Sequence, residues 1–88
     1  MSSPQLQALM RQTLGGAMQG AGLGADDLWR GYVTAGGSEL PGVVDDLLAG
    51  RQTLEPDQYD CLAQAINDHA VGLGQSGAVP YFHQLGGS

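Results

Sequence analysis

Apolar side chains recur at helical spacing in several stretches of the chain, and no stretch alternates as a strand would. The first predicted helix covers residues 3–20, with Ser3 as its N-cap and Pro4 at its first position. Within it, Gly15-Gly16 predicts either a soft second half or a close backbone neighbour. Its apolar stripe consists of Leu6, Leu9, Met10, Leu14, Ala17 and Met18.

Three further helices are predicted between residues 25 and 74. The second covers residues 25–35, the third covers residues 40–49 and ends at Gly50, and the fourth begins at Pro56 and ends near Gly72. Spacings of three and four define their inward faces. The inward face of the second helix consists of Ala25, Leu28, Trp29, Tyr32 and Val33. That of the third consists of Val43, Val44, Leu47 and Leu48, and that of the fourth of Tyr59, Leu62, Ile66, Ala70 and Leu73.

The remaining segments are rich in glycine. Residues 20–24 are interpreted as a flexible joint, and residues 75–88 as a tail around the apolar knot Val79-Pro80-Tyr81-Phe82. The tail is either disordered or docked as an extended strap. The pattern predicts an all-α fold: one domain over residues 1–88, a compact orthogonal array of about four short helices. Its core covers about residues 25–74, and the first helix docks on this core or pairs with its own copy.

Size and charge narrow the function classes. The chain has 88 residues, three Lys+Arg against nine Asp+Glu, and a formal charge of −6. The three arginines are far apart and lysine is absent, so the basic stripe of a nucleic-acid binder is missing. No apolar run approaches the ~20 residues of a membrane span. Residues 1–5 lack signal-peptide features and there is one cysteine, so we expect a cytoplasmic protein without a disulfide framework.

One local pattern, over residues 43–66, has a known counterpart. Gly50-Arg51, a Leu-x-Pro start at residues 54–56 and Leu-Ala-x-Ala-Ile at residues 62–66 resemble the end of a repressor-type helix-turn-helix domain. The resemblance implies a recognition helix, a turn and a packing helix. However, that recognition helix would hold Asp45 and Asp46, and no Arg, Lys, Asn or Gln able to read a base edge. We therefore expect a reused helical shape rather than DNA binding.

A broader pattern extends over residues 28–68. Leu28-Trp29-x-x-Tyr32, Gly36-Gly37, Leu47-x-x-Gly50 and the segment from Tyr59 to Asn67 resemble small uncharacterised all-helical proteins of actinobacterial-type genomes. This resemblance implies a compact helical domain and brings no activity with it.

Candidate chemistry is sparse. Cys61, His69 and His83 are the possible metal ligands, but no C-x-x-C or H-x-x-x-H pattern is present. Cys61 and His69 are eight residues apart on one predicted helix, about 12 Å along its axis, which is too far for a nucleophile and its base. We predict no catalytic residue, no metal site and no cofactor, and therefore no enzyme.

The remaining candidates are apolar residues that could meet a protein partner. Trp29 and Tyr32 belong either to the core or to a partly exposed patch, and Tyr81 and Phe82 either cover the core or insert into a partner. Met10 and Leu14 lie on the first helix, which could form a homodimer. The sequence thus predicts a non-enzymatic helical interaction module, a small regulator or accessory subunit. The alternatives are a transcription regulator with a degenerate helix-turn-helix and an accessory protein of a small-molecule enzyme.

Overall fold

The structure is a computed structural model that describes residues 4–74 and 79–85, except for the side chain of His83. It contains four helices of nine residues or more and one short helix; no described residue lies in a strand. The predicted all-α class is confirmed. The predicted cap Ser3 and residues 75–78 and 86–88 of the tail lie outside the described residues. In chain order the helices are α1 (Pro4–Ala21), α2 (Ala25–Thr34), α3 (Pro41–Ala49), α4 (Pro56–Gly72) and α5 (Phe82–Leu85).

Helix α4 is the centre of the packing, because α1, α2 and α5 all contact it, and α3 contacts α1 and α2. Helices α2 and α4 approach closely at Gly31, where an added Cβ would lie 2.8 Å from the Cβ of Ala65. By contrast, a Cβ at Gly15 or Gly16 would meet nothing within 4 Å. The close-neighbour interpretation of the Gly15-Gly16 pair is therefore wrong.

The core draws on every helix of nine or more residues and on three described residues outside the helices, Leu23, Leu54 and Val79. Predicted inward positions Leu9, Val33 and Leu73 are instead 41%, 44% and 55% exposed, and Ala25 is exposed too. Leu9 and Val33 lie at the edges of their stripes, and Leu73 follows the last residue of α4. The largest fully buried side chains are Met10, Leu14, Leu28, Val44, Leu47, Leu54, Tyr59, Leu62 and Ile66.

Two side-chain amides hold the non-helical segments that flank α4. Gln7 of α1 bonds both main-chain groups of Leu54, at 2.9 and 2.8 Å. Asn67 of α4 does the same for Val79, at 3.1 and 2.9 Å. The second clamp docks residues 79–85, which we call the strap, against α4. For these residues the tail is docked, as one alternative predicted, but only residues 79–81 lie outside a helix; the expected extended form is wrong for residues 82–85, which form α5.

Candidate functional site

An open groove of about 510 Å³ lies where α1, the α1–α2 joint and α3 meet. We call it the glycine groove, because three glycines contribute to its lining and leave main chain at its surface. The apolar side chains in it are Met18, Leu23 and Leu48. Its full lining is Arg11, Gly15, Met18, Gln19, Gly22, Leu23, Gly24 and Leu48.

The joint between α1 and α2 shapes one end of this groove. Gly22 has φ 64°, a left-handed conformation that favours glycine. The N–H of Leu23 donates to the carbonyl of Met18 at 2.9 Å, which is the long-range bond of a Schellman motif. This tight reversal ends α1 and turns Leu23 inward, where it is buried. The predicted flexible joint is thus a hydrogen-bonded turn.

Arg11 forms the wall between α1 and α3. Its Nε donates to the carbonyl of Leu47 at 2.8 Å, and its Nη2 donates to the carbonyl of Gln52 at 2.7 Å. Leu47 is in the last turn of α3, where its carbonyl also accepts from the N–H of Gly50 at 3.4 Å, so the guanidinium adds a shorter bond at the end of the helix. Its positive charge also lies at the negative end of the helix dipole. Arg11 is therefore already engaged within the fold.

Three exposed carboxylates lie within three residues, along the chain, of residues that line the glycine groove, and we call them the acidic rim. Asp26 and Asp27 are in the first turn of α2, two and three residues after Gly24. Asp45 precedes Leu48 by three residues on α3, so the two are neighbours on the helix surface. Arg30 approaches Asp27 at 3.9 Å, but both side chains are exposed and the pair contributes little.

The segment after α3 does not provide a positive face for DNA. The Nε of Arg51 donates to Asp46 at 2.7 Å, and Gln52 adds a bond to the same carboxylate at 3.3 Å. The bond from Arg51 lowers the pKa of Asp46. Arg51 is therefore paired with a carboxylate of the helix that would enter the groove of DNA, and the remaining exposed charge on α3 is that of Asp45.

The predicted partner-binding residues separate into two groups. Met10 and Leu14 are fully buried and Tyr32 is 2% exposed, because all three pack into the single core. These three positions are corrected: in this fold they have no surface for a partner. Trp29 is half-buried and donates from Nε1 to the carbonyl of Glu39 at 2.9 Å.

Tyr81 and Phe82, the two aromatic residues of the strap, were also predicted to bind a partner. Both are half-buried and pack against the core of their own chain. Of the two alternatives for them, the structure thus shows the one in which they cover the core, and they remain partly accessible.

Among the side chains that the structure describes, Cys61 has no histidine as a hydrogen-bond partner. Its Sγ is 3.8 Å from the carbonyl of Ala35, and burial raises the pKa of the thiol, helped by the charges of Asp57 and Asp60. A raised pKa keeps the thiol protonated, which is the reverse of an activated nucleophile. Over residues 4–74 and 79–85, no three His, Cys, Asp or Glu side chains are close enough together to hold a metal ion; the side chain of His83 is not among those described.

The glycine groove was not predicted from the sequence. The glycines of residues 20–24 indicated a break between α1 and α2, which is one end of the groove. The wall opposite Met18 is Leu48 of α3, and no local pattern connects these two residues. Among the described helices, none has both the length and the apolar character needed to cross a membrane. No protein-family model, curated protein or solved structure matches the chain.

Proposed function

We propose that this chain is a non-enzymatic interaction module that binds a basic amphipathic helix of a protein partner in the glycine groove. The observation behind this proposal is the combination of an apolar, glycine-lined groove with an acidic rim. The module would act as a small regulator or accessory subunit, and the cytoplasm is its proposed compartment.

The lining of the groove suits a helix. Met18, Leu23 and Leu48 offer apolar contacts, and amphipathic helices bind by laying their apolar face into such grooves. Gly15 and Gly24 leave no side chain above the main chain, so a partner helix could approach closely. Among the lining residues Arg11 carries the charge, and its Nε and one N–H of Nη2 already donate to Leu47 and Gln52, which leaves fewer donors for a polar small molecule.

Charge favours a basic partner. The chain has a formal charge of −6, and the exposed Asp26, Asp27 and Asp45 lie within three residues of groove-lining Gly24 or Leu48. Such a field attracts cationic surfaces, speeds their encounter and disfavours anionic ones. It also disfavours the alternative of a degenerate helix-turn-helix regulator, since Asp45 and Asp46 of α3 would face phosphates.

A pair of designed peptides tests the proposal. One is an amphipathic helix of leucine and lysine, and the other has every lysine replaced by glutamate. We expect the lysine peptide to bind and to shift the amide resonances of Met18, Leu23 and Leu48 in a titration followed by NMR. Binding of both peptides with equal affinity, or shifts confined to other surfaces, would count against the groove.

Two adjacent glycines provide a matched pair of variants. Gly15 and Gly16 are both in α1 and both have open space where a Cβ would be, but only Gly15 lines the groove. Gly15→Leu should therefore fill the groove and reduce affinity for the lysine peptide by at least about tenfold, whereas Gly16→Leu should leave affinity unchanged. Equal affinities of the two variants would contradict the assignment.

The acidic rim is tested by neutralising one carboxylate at a time. Asp45→Asn should weaken binding of the lysine peptide about threefold at low salt, and this difference should shrink at high salt. Asp57→Asn is the control, because it changes the net charge equally but lies on the first turn of α4, outside the groove lining. The rim has no role if the two variants behave alike.

A further inference from the structure

The strap runs antiparallel to α4. Asn67, in the second half of the helix, bonds Val79, whereas Tyr59 and Asp60, near its start, bond Pro80 and Phe82. Residues 79–82 therefore follow the surface of α4 back from its middle towards its N-terminal end, while the helix itself provides the side chains that hold them.

All four of these hydrogen bonds end on the main chain of the strap. Asn67 accepts from the N–H of Val79 at 2.9 Å and donates to its carbonyl at 3.1 Å. The hydroxyl of Tyr59 donates to the carbonyl of Pro80 at 2.6 Å, and Asp60 accepts from the N–H of Phe82 at 2.7 Å. Main-chain bonds of this kind give affinity for an extended peptide, while side-chain contacts give specificity.

The side chains of the strap define which peptide fits. Val79 is 9% exposed and belongs to the core cluster. Pro80 has no N–H that would need a partner, and its ring fixes φ in the extended range. The hydroxyl of Tyr81 bonds Gln64, and Phe82 packs half-buried against the core. The surface thus accepts an aliphatic residue, a proline and two aromatic residues in sequence.

From these contacts we infer that this face of α4 is a peptide-binding site, the strap site, formed by Tyr59, Asp60, Gln64 and Asn67. Its ligand is an extended segment of aliphatic–Pro–aromatic–aromatic type supplied by a partner protein, and the strap of the same chain occupies the site as an intramolecular competitor. A second copy is the less favourable donor, because two chains of charge −6 repel each other. The strap site is separate from the glycine groove and does not depend on it.

The short connection between α4 and the strap makes the competition strong. Only residues 73–78 join Gly72 to Val79, and short tethers give effective concentrations of about a millimolar. A free peptide therefore competes poorly with the intact strap. It should bind well once the strap is weakened, because apparent affinity rises with the fraction of molecules whose site is open.

The experiment uses the full chain and a fluorescent peptide that copies residues 79–85. The double variant Tyr81→Ala/Phe82→Ala weakens the strap and leaves the strap site intact. We expect the peptide to bind this variant at least about tenfold more tightly than the unmodified chain, as measured by anisotropy. Gln84→Ala is a milder second variant: its exposed side chain accepts from the N–H of Tyr81 at 2.7 Å, and its loss should increase binding less.

Controls on the strap-weakened chain locate the peptide. Asn67→Asp has the same shape but loses the donor to the carbonyl of Val79, so it should reduce peptide affinity at least about tenfold. Gln12→Glu makes the same change of charge at an exposed position of α1, outside the strap site, and should have little effect. A peptide of scrambled sequence should not compete.

Three results would overturn the inference. The first is equal binding to the unmodified and strap-weakened chains, and the second is no binding to either weakened variant. The third is a dimer of the unmodified chain, detected by light scattering, that is lost with Asn67→Asp; this would assign the donated strap to a second copy instead of a partner.

Discussion

At the scale of single residues, Gln7 is the buried polar side chain among the described residues, and both its amide nitrogen and its amide oxygen are hydrogen-bonded. It accepts from the N–H of Leu54 and donates to the carbonyl of the same residue. Leu54 lies in the loop before α4 and is completely buried. One amide thus lets an irregular segment bring a leucine into the core without leaving its main-chain groups unpaired.

Removing this amide should destabilise the protein. Gln7→Ala leaves two buried main-chain groups without partners, and we expect a loss of about 2–3 kcal/mol in the free energy of unfolding. Gln12→Ala, on the exposed side of the same helix, should change it by less than about 0.5 kcal/mol. Urea unfolding measures both, and similar losses in the two variants would contradict the role of the clamp.

Glycines of the helices should respond to alanine in opposite directions. Gly16→Ala adds a methyl group to open space in α1, so it should raise the free energy of unfolding by about 0.5–1 kcal/mol. Gly31→Ala would bring two Cβ atoms to 2.8 Å at the α2–α4 contact, so it should lower the free energy by at least about 1 kcal/mol. A stabilising Gly31→Ala would show that the two helices separate easily.

At the scale of helices, local signals predicted starts and ends well. Pro41 and Pro56 each occupy the first turn of a helix, and Gly50 ends α3 with φ 86°. The start of α4 also has a capping box between Glu55 and Gln58, which was not part of the prediction from Pro56. These features depend on neighbouring residues, so the sequence is sufficient to predict them.

Long-range contacts were not predictable in the same way. The bond from Arg11 to Gln52 joins residues 41 positions apart, and nothing in either segment indicates the other. The same holds for Leu54, which lies in no periodic stripe, and for the glycine groove, whose walls come from separate helices. Periodicity gives the buried face of a helix, but the partner of that face depends on how the helices pack.

Arg11 offers a test of how α1 holds α3. Arg11→Gln removes the two bonds to the end of α3, and we expect a loss of about 1–2 kcal/mol in the free energy of unfolding. Arg30→Gln makes the same charge change at an exposed site whose nearest carboxylate is 3.9 Å away, and should cost less than about 0.5 kcal/mol. Equal losses would mean that charge, and not the capping of α3, explains the effect.

At the scale of the whole molecule, the buried phenol of Tyr59 makes the free energy of unfolding depend on pH in the alkaline range. Burial of Tyr59 raises the pKa of its hydroxyl to about 12, and the charge of Asp60 adds to the shift. The neutral phenol is the form that donates to Pro80. Since the folded pKa lies above the ordinary value of 10, the contribution of Tyr59 to stability is complete below pH 10 and is lost as the pH rises towards 12.

The alkaline prediction can be checked with Tyr59→Phe. The unmodified protein should lose stability in urea between about pH 10 and 12. Tyr59→Phe should be less stable near neutrality, because the bond to Pro80 is gone, but should lose less on going to alkaline pH. Tyr32 and Cys61, whose pKa values are also raised by burial, contribute to the alkaline loss that remains in the variant. An unchanged slope in the variant would exclude Tyr59 as the source.

Hydrogen exchange at the two amide clamps should show how often each clamped segment opens locally. The amide hydrogens of Leu54 and Val79 are each held by one side-chain oxygen rather than by a helix, so each should exchange with deuterium at the rate at which its clamp releases. If exchange is slow at Leu54 and faster at Val79, the strap detaches from α4 many times for each time that the whole protein unfolds.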